Sequence, residues 1–426
     1  MNLALFTLSL HSNYGGILQA YALQTILERM GHQVVVLNKP PHPHRLRLLK
    51  KPFCYAKRLL LKLFVDPKTI IHKEDRIFAE SILIRQHTDR FIYRYIHNRW
   101  VIDLKDFQEG EVDGIVVGSD QIWRPKYFVG WSRDLSDAFL AFAEKWNVKR
   151  WAYAASFGTD TWDFPKKQTP RYAHLMQQFI AVSVREDTGV TLCRDHLHVE
   201  AQHLLDPTLL LTADDYLALI DTYDRETGSR HNDPIADAPR DGDSWLRREC
   251  SRSEESSELS SPLAQSHSSL FTLHSSLKKL TTYLLDPTPE KQALVQRVAE
   301  ERGLTPCRVG TEVNEDEQDK VPLEQRIAPP IEEWLKGFRD ADMVLTDSFH
   351  GCVFSILFRK PFIVLGNPKR GLSRMQSLLR MFHLESHLLL SPSDYDPSLP
   401  YTLPSDLPHT HEQLRQRSLA FLRKIG

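Results

Sequence analysis

Apolar residues along this chain come in short runs. Each run is followed by a polar loop, then by a stretch in which apolar positions recur every third or fourth residue. Residues 3–8 predict a buried strand and residues 11–16 a polar loop carrying Gly15 and Gly16. Residues 17–30 follow with Ile17, Leu18, Tyr21, Leu23, Ile26 and Leu27 near helical spacing, so they predict a helix. Gly31 ends that helix, and residues 34–37 predict a second strand. A strand–helix–strand unit of this kind predicts a parallel sheet. Apolar runs at 114–117, 151–155 and 180–184 end in the polar clusters GSDQIW, SFG and RED, and a last run through Val199, Leu204 and Leu205 ends in Asp206-Pro207-Thr208.

The pattern then stops. Residues 225–276 are rich in Ser, Arg, Asp, Glu and Pro and carry no apolar period. Such a segment buries too little surface to offset its ordering entropy, which predicts a disordered linker. Beyond it, strands are predicted at 280–285, 343–346 and 361–365 and helices at 290–302, 331–339, 349–358 and 373–382. A final helix over 411–425 is placed to pack back across the interface. The expectation is an α/β protein of two Rossmann-like domains, 1–224 and 277–426, whose parallel sheets face a cleft. Ligands of open parallel sheets sit beyond the carboxyl ends of the strands, where the polar clusters fall here.

Composition narrows the classes. At 426 residues and 41% hydrophobic content, the chain can form two cores. With 54 basic and 55 acidic residues, no global field draws it to nucleic acid. The five cysteines, Cys54, Cys193, Cys250, Cys307 and Cys352, form no CxxC pair, which argues against a disulfide framework and a zinc site. The opening MNLALFTLSLHSN lacks a basic flank and a cleavage site, and no apolar run reaches the roughly 18 residues of a membrane span. A cytoplasmic protein is expected. The basic stretch 44–68, with its interleaved Leu, Phe and Tyr, reads first as a solvated helix face and second as a contact for an anionic membrane surface.

Four clusters carry candidate chemistry. The run TDSFHGCVFSILFRKPFIVLGN joins a buried strand to a helix start, with Asp347 or Ser348 as N-cap and His350 in the first turn beside Gly351. The positive pole of a helix favours anions there and disfavours an imidazolium. His350 should therefore be neutral until a bound phosphate or carboxylate raises its basicity; the plainer reading is a capped helix whose histidine satisfies backbone groups. Asn13, Tyr14, Gly15 and Gly16 form a loop that lets backbone approach a ligand, or a simple tight turn. Neither a dinucleotide fingerprint nor a Walker motif is present. Asp120, Gln121 and Trp123 offer a carboxylate, an amide and an indole suited to a sugar, with Asp120 a candidate base; the alternative is an N-cap beside a core tryptophan. Arg185 after the 180–184 strand suits an anion, or pairs with Glu186 at the surface. Asp340 and Asp342 mimic a sugar-nucleotide DxD motif but fall at a helix end before a buried strand, and the pairs His42/His44 and His409/His411 lack the rest of a metal shell, so no metal is expected.

Taken together, NYGGILQAYALQ, IVVGSDQIW, AYAASFG, VSVRE, LDPTLLL and TDSFHGCVFSILFRKPFIVLGN with RGLSRMQSLL resemble, in order, the polysaccharide pyruvyl transferases. The resemblance implies a GT-B-like fold, with the first domain on the acceptor side and the second on the donor side. It implies phosphoenolpyruvate as co-substrate, no further cofactor, and a sugar or lipid-linked glycan acceptor that receives a ketal in exopolysaccharide or cell-wall glycan synthesis. The family's donor-binding histidine falls on His350 and its mid-chain arginine on Arg185. Its late arginine falls on Ser348, so either Arg370, Arg374 or Lys369 supplies that charge from the following loop or the donor differs. A nucleotide-sugar glycosyltransferase and a non-catalytic glycan-binding relative are the alternatives on such a scaffold.

Overall fold

The computed structural model describes residues 1–39, 51–64, 73–228, 278–311 and 321–425. The predicted linker, apart from residues 225–228, lies outside the described residues, as do His42, His44 and Cys250.

The first lobe contains β1 (Asn2–Phe6), α1 (Tyr14–Arg29), β2 (Gln33–Asn38), α2 (Lys51–Phe64), α3 (Lys73–Tyr95) and β3 (Asn98–Trp100). It continues with β4 (Gly114–Val117), α4 (Pro125–Phe128), β5 (Lys149–Ala155), α5 (Thr169–Met176), β6 (Ala181–Val184), α6 (Asp187–Leu192), β7 (Ala201–His203) and α7 (Ala213–Gly228). Its seven strands form one sheet in the order β3-β2-β1-β4-β5-β6-β7, parallel throughout. The second lobe contains β8 (Lys279–Tyr283), α8 (Pro289–Arg302), β9 (Thr305–Arg308), α9 (Leu323–Arg326), α10 (Ile331–Arg339), β10 (Met343–Thr346) and α11 (Phe349–Leu357). After these come β11 (Phe362–Leu365), α12 (Leu372–Met381), β12 (Leu388–Leu389) and α13 (Leu407–Leu422). Its five strands are also parallel, in the order β12-β11-β10-β8-β9.

The central strands are the ones the apolar runs predict. β4, β10 and β11 are buried at every position, as strands covered by helices on both faces must be. Gly31 and Gly303 sit at φ +90° and +62° behind α1 and α8, the left-handed conformation that ends a helix. Several boundaries differ from expectation, the last helix for one spanning Leu407–Leu422 and not 411–425, and two of the differences change the reading. α1 begins at Tyr14, because the Asn13 carbonyl already accepts the Ile17 amide, so Gly15 and Gly16 lie in its first turn and not in a loop. α7 runs on to Gly228, beyond the expected domain end at 224.

The two sheets meet at a closed seam. One apolar core runs from Ile17 and Leu18 of α1 through Tyr216 of α7 to Trp334, Phe338 and Phe354 of the second lobe. The Tyr216 and Phe354 rings lie 5.0 Å apart, edge to face. Polar contacts reinforce the seam. Arg326 reaches Glu80 at 2.5 Å, Arg90 reaches Glu332 at 2.7 Å, and Arg380 reaches Asp187 at 2.6 Å. Helix α13 crosses back onto the first lobe, as expected. Ser418 Oγ accepts the Leu205 amide at 3.2 Å, and Arg415 Nε donates to the Leu210 carbonyl at 2.7 Å.

Candidate active site

Every polar cluster singled out in the sequence lies just beyond a strand's carboxyl end, so the topology carries them to the seam. After β6, Arg185 is buried to 2% exposure. Its Nη1 donates to Asp206 Oδ2 at 2.7 Å, and Nη2 reaches Asp120 Oδ1 at only 3.4 Å. The Phe349 ring of the second lobe covers the guanidinium, 4.9 Å from its carbon. Nη1 is thus committed and one face is packed, while Nε is buried with no protein partner. The Nε–Nη2 edge remains to take an anion side-on, the geometry in which arginine forks a carboxylate or phosphate. Despite burial, Asp206, Asp120 and Glu186 hold Arg185 firmly charged.

Asp206, after β7, has a fully buried side chain. It accepts from Thr208 N and Oγ1 at 3.0 and 2.6 Å and from Ser119 Oγ at 2.9 Å, besides Arg185. Burial pushes its pKa up, but Arg185, His350 and these donors hold it down at about 2.

His350 approaches from the other lobe. Ser348 caps α11, accepting the Gly351 amide on its hydroxyl at 3.4 Å, and His350 follows in the first turn. Its Nε2 has no hydrogen-bond partner and lies 3.9 Å from Asp206 Oδ2. Burial pulls its pKa down to about 4, with Asp206 opposing and Arg185 assisting, so the ring is neutral near pH 7. On its other side the imidazole rests on α1. A Cβ built at Gly15 would lie 1.9 Å from His350 Nδ1, so only glycine admits the ring. Gly351 is required for a different reason: a Cβ there would meet Thr346 Oγ1 at 2.2 Å, so it permits α11 to lie close on β10.

Arg374 of α12 completes the cationic wall. It is 6% exposed, its carbon stands 5.6 Å from the same Phe349 ring, and its Nε is buried without a partner. Burial and the neighbouring Arg185 lower its pKa to about 10, which still leaves it charged. It is thus placed to supply the charge that Ser348 lacks. Arg370 is engaged elsewhere, forking Asp286 through Nε and Nη2 at 3.0 Å each. The Lys369 side chain lies outside the described residues.

The expected acceptor residues divide. Asp120 has a left-handed backbone (φ 52°), and its Oδ2 faces α1, 3.1 Å from where a Gly16 Cβ would stand. Asn13 lies beside it, exposed and making no capping bond. Gln121 is turned aside, accepting from Arg124 at 2.9 Å. Two residues do not line the site. Trp123 is 1% exposed, donates its indole N–H to the Ala138 carbonyl at 3.1 Å and stacks on Phe139, so it is core. Tyr14 donates its hydroxyl to the Pro329 carbonyl at 2.6 Å and packs on Trp334, so it fastens the lobes together.

Three residues beyond the expected set belong here: Asp206, noted only as the end of an apolar run, Glu186, expected only as a surface partner of Arg185, and Phe349. Glu186 is not a surface partner of Arg185. It is fully buried and binds the Phe157 and Gly158 amides at 2.7 and 3.1 Å, shaping the loop after β5. The apolar run leading into Asp206 was the available signal for that residue. Among the described residues no group of three or more His, Cys, Asp or Glu side chains is arranged to hold a metal.

The chain has no match among curated proteins. Among solved structures it is similar to UDP-GlcNAc 2-epimerase from Neisseria meningitidis bound to UDP-GlcNAc, with 10% identity, a TM-score of 0.44, and coverage of 100% of this chain and 97% of that one. The corresponding epimerase from Methanocaldococcus jannaschii gives 10% identity and a TM-score of 0.43 over 99% and 100% of the two chains. The spinosyn rhamnosyltransferase SpnG complexed with thymidine diphosphate gives 11% identity and a TM-score of 0.35 over 100% and 95%. The sequence profile of one family, polysaccharide pyruvyl transferase, matches residues 13–369, from the α1 start past His350 to the loop before α12. The chain belongs to the polysaccharide pyruvyl transferase family.

Proposed function

We propose that this protein transfers the three-carbon acid of phosphoenolpyruvate to two hydroxyls of a sugar, forming a cyclic ketal and releasing phosphate. The observation that carries the reading is the set of buried, unpartnered nitrogens of Arg185, Arg374 and His350, drawn from both lobes, with both guanidiniums against the Phe349 ring. The carboxylate and phosphate of phosphoenolpyruvate offer acceptors for these unspent, charged donors.

Arg185 and the α11 start hold the donor's carboxylate and phosphate, with Arg374 supplying the second positive charge. The phosphate dianion raises the basicity of His350, which takes up a proton and delivers it to the donor methylene. That carbon becomes a methyl group and its neighbour an oxocarbenium-like centre. One sugar hydroxyl attacks this centre, losing its proton to Asp120. The C–O bond to phosphate then breaks, and the second hydroxyl closes the ketal as its proton leaves with the phosphate. Holding both hydroxyls against one carbon supplies a proximity advantage. The lobes are closed over His350, at 8% exposure, so donor entry requires the seam to open.

The test is incubation with phosphoenolpyruvate and a panel of sugar and lipid-linked acceptors, following phosphate release and product mass. The expected result is phosphate release tied to a mass gain of one pyruvyl ketal. Donor binding should also take up about one proton near neutral pH, seen calorimetrically in buffers of different ionisation heat. Nucleotide release from an activated sugar would replace the proposal with glycosyl transfer. Acceptor binding with no donor affinity would replace it with a glycan-binding role.

The proposal places the protein in the cytoplasm, at the inner face of the membrane. Among the described residues no helix is long and apolar enough to cross a membrane. Helix α2 instead exposes Leu59, Leu60 and Phe64 to 45%, 57% and 79% next to exposed Lys57 and Lys62. This pairing suits an anionic lipid surface; residues 44–50 and 65–68 of the same basic stretch lie outside the described residues. Co-sedimentation with phosphatidylglycerol vesicles checks it. Binding should be lost in Lys57→Glu/Lys62→Glu, and binding that survives this change removes α2 from the contact.

A further inference from the structure

The geometry points to Asp206 as the positioning residue that aims Arg185 and His350 at one ligand from opposite lobes. The inference deepens the donor-site reading above and rests on it for its consequence in turnover.

A carboxylate offers about four lone-pair sites. Four donors already fill those of Asp206: Thr208 N, Thr208 Oγ1, Ser119 Oγ and Arg185 Nη1. The Thr208 pair locks Oδ1. On Oδ2, Ser119 and Arg185 leave no site for a fifth donor, and His350 Nε2 stands off at 3.9 Å without a partner. Two consequences follow. The guanidinium is turned so that its Nε–Nη2 edge faces away from Asp206. The imidazole feels the full buried charge without spending its Nε2 on a hydrogen bond, so that atom stays available to the ligand. Arg185 and His350 are thus oriented by one anion that touches neither donor nor acceptor.

The charged groups that face the imidazole are Asp206 after β7, Arg185 after β6, Asp120 after β4 and Arg374 on α12, with the amino end of α1 at Gly15. Among them Asp206 is the strongest influence favouring the imidazolium. Two substitutions should therefore shift the His350 pKa with opposite signs. Asp206→Asn removes the charge. The His350 pKa should fall by about one, and inorganic phosphate should bind about tenfold more weakly as the guanidinium loses its anchor. Ser119→Ala keeps the charge and frees a lone pair on Oδ2. His350 Nε2–H can then close the 3.9 Å gap, and its pKa should rise.

The experiment titrates the imidazole C2–H of His350 by NMR in the intact protein, assigned by its loss in His350→Gln, alongside phosphate binding by calorimetry. A fall in the first variant with a rise in the second supports the role. Unchanged values in both, or shifts of the same sign, overturn it, because a merely architectural aspartate would move neither in opposite directions. Should Asp206→Asn fail to fold, the sign in Ser119→Ala decides alone: a rise supports the role, and no change or a fall overturns it. No sugar or phosphoenolpyruvate enters the titration. Its failure therefore counts against Asp206 alone, whereas a wild-type protein inert toward phosphoenolpyruvate counts against the transferase reading alone.

Discussion

Replacing His350 with glutamine is expected to cut turnover from phosphoenolpyruvate by about 10²–10⁴-fold, the usual contribution of a positioned acid–base group, with the fold intact. Glutamine approximates the volume of the imidazole between Gly15 and Asp206 and retains a polar tip, but it has no titratable proton. The neutral ring contributes to stability in a pH-dependent way. Its folded pKa of about 4 lies below its ordinary 6.5, so this contribution is complete above 6.5 and is lost as pH falls through 4. His350→Gln should therefore be relatively more stable than wild type at pH 5 than at pH 8. Gly15→Ala reaches the same site by another route. Alanine is favoured over glycine within a helix by about 1 kcal/mol, yet its Cβ would stand 1.9 Å from Nδ1 and must displace the ring. It too should be nearly inactive while still folded. Steady-state kinetics with thermal melts separate these effects, and wild-type turnover in His350→Gln would exclude the histidine from proton transfer.

Arg185→Met should be the most damaging substitution for stability. It removes one partner of a pair in which both side chains are 0% exposed, leaving Asp206 charged and unanswered. Breaking a buried pair in this way costs about 3–5 kcal/mol. The pH dependence identifies the cause. Asp206 titrates at about 2 when folded, below its ordinary 3.8, so its contribution is present above 3.8 and is lost as pH falls through 2. Without Arg185 that pKa must rise, and the orphaned carboxylate is relieved by taking up a proton. Loss of Arg185 also removes one of the charges that disfavour the His350 imidazolium. Both effects shrink the deficit of the variant as pH falls from 7 toward 4. Urea denaturation at several pH values measures it. A deficit below about 1 kcal/mol, or one constant with pH, would show that the pair is not the stabilising contact described here.

Much of the architecture could be read from local pattern. The strands at Gly114–Val117 and Met343–Thr346 and the helix at Ile331–Arg339 fall where the apolar periodicity places them. What local pattern misses is pairing. Asp206 matters through Arg185, 21 residues away, and Ser119, 87 residues away, and no local window joins them. Glu186 follows an arginine and resembles a surface ion pair until the β5 loop folds over it. Trp123 and Tyr14 carry sugar-binding chemistry in composition, but each polar atom is spent on a carbonyl: Ala138 for the indole, Pro329 for the hydroxyl. Helix α3 has no clean apolar stripe, because its buried side mixes Phe91 and Ile92 with Arg85 and Thr88.

Helix α13 imposes an order on biosynthesis. Phe421 packs on Tyr153 of β5, and Ser418, His411 and Arg415 bond the Leu205 amide, the Leu209 carbonyl and the Leu210 carbonyl in turn. A first lobe emerging from the ribosome therefore carries an uncovered apolar groove while some two hundred further residues are translated. During that interval it is a natural client for chaperones.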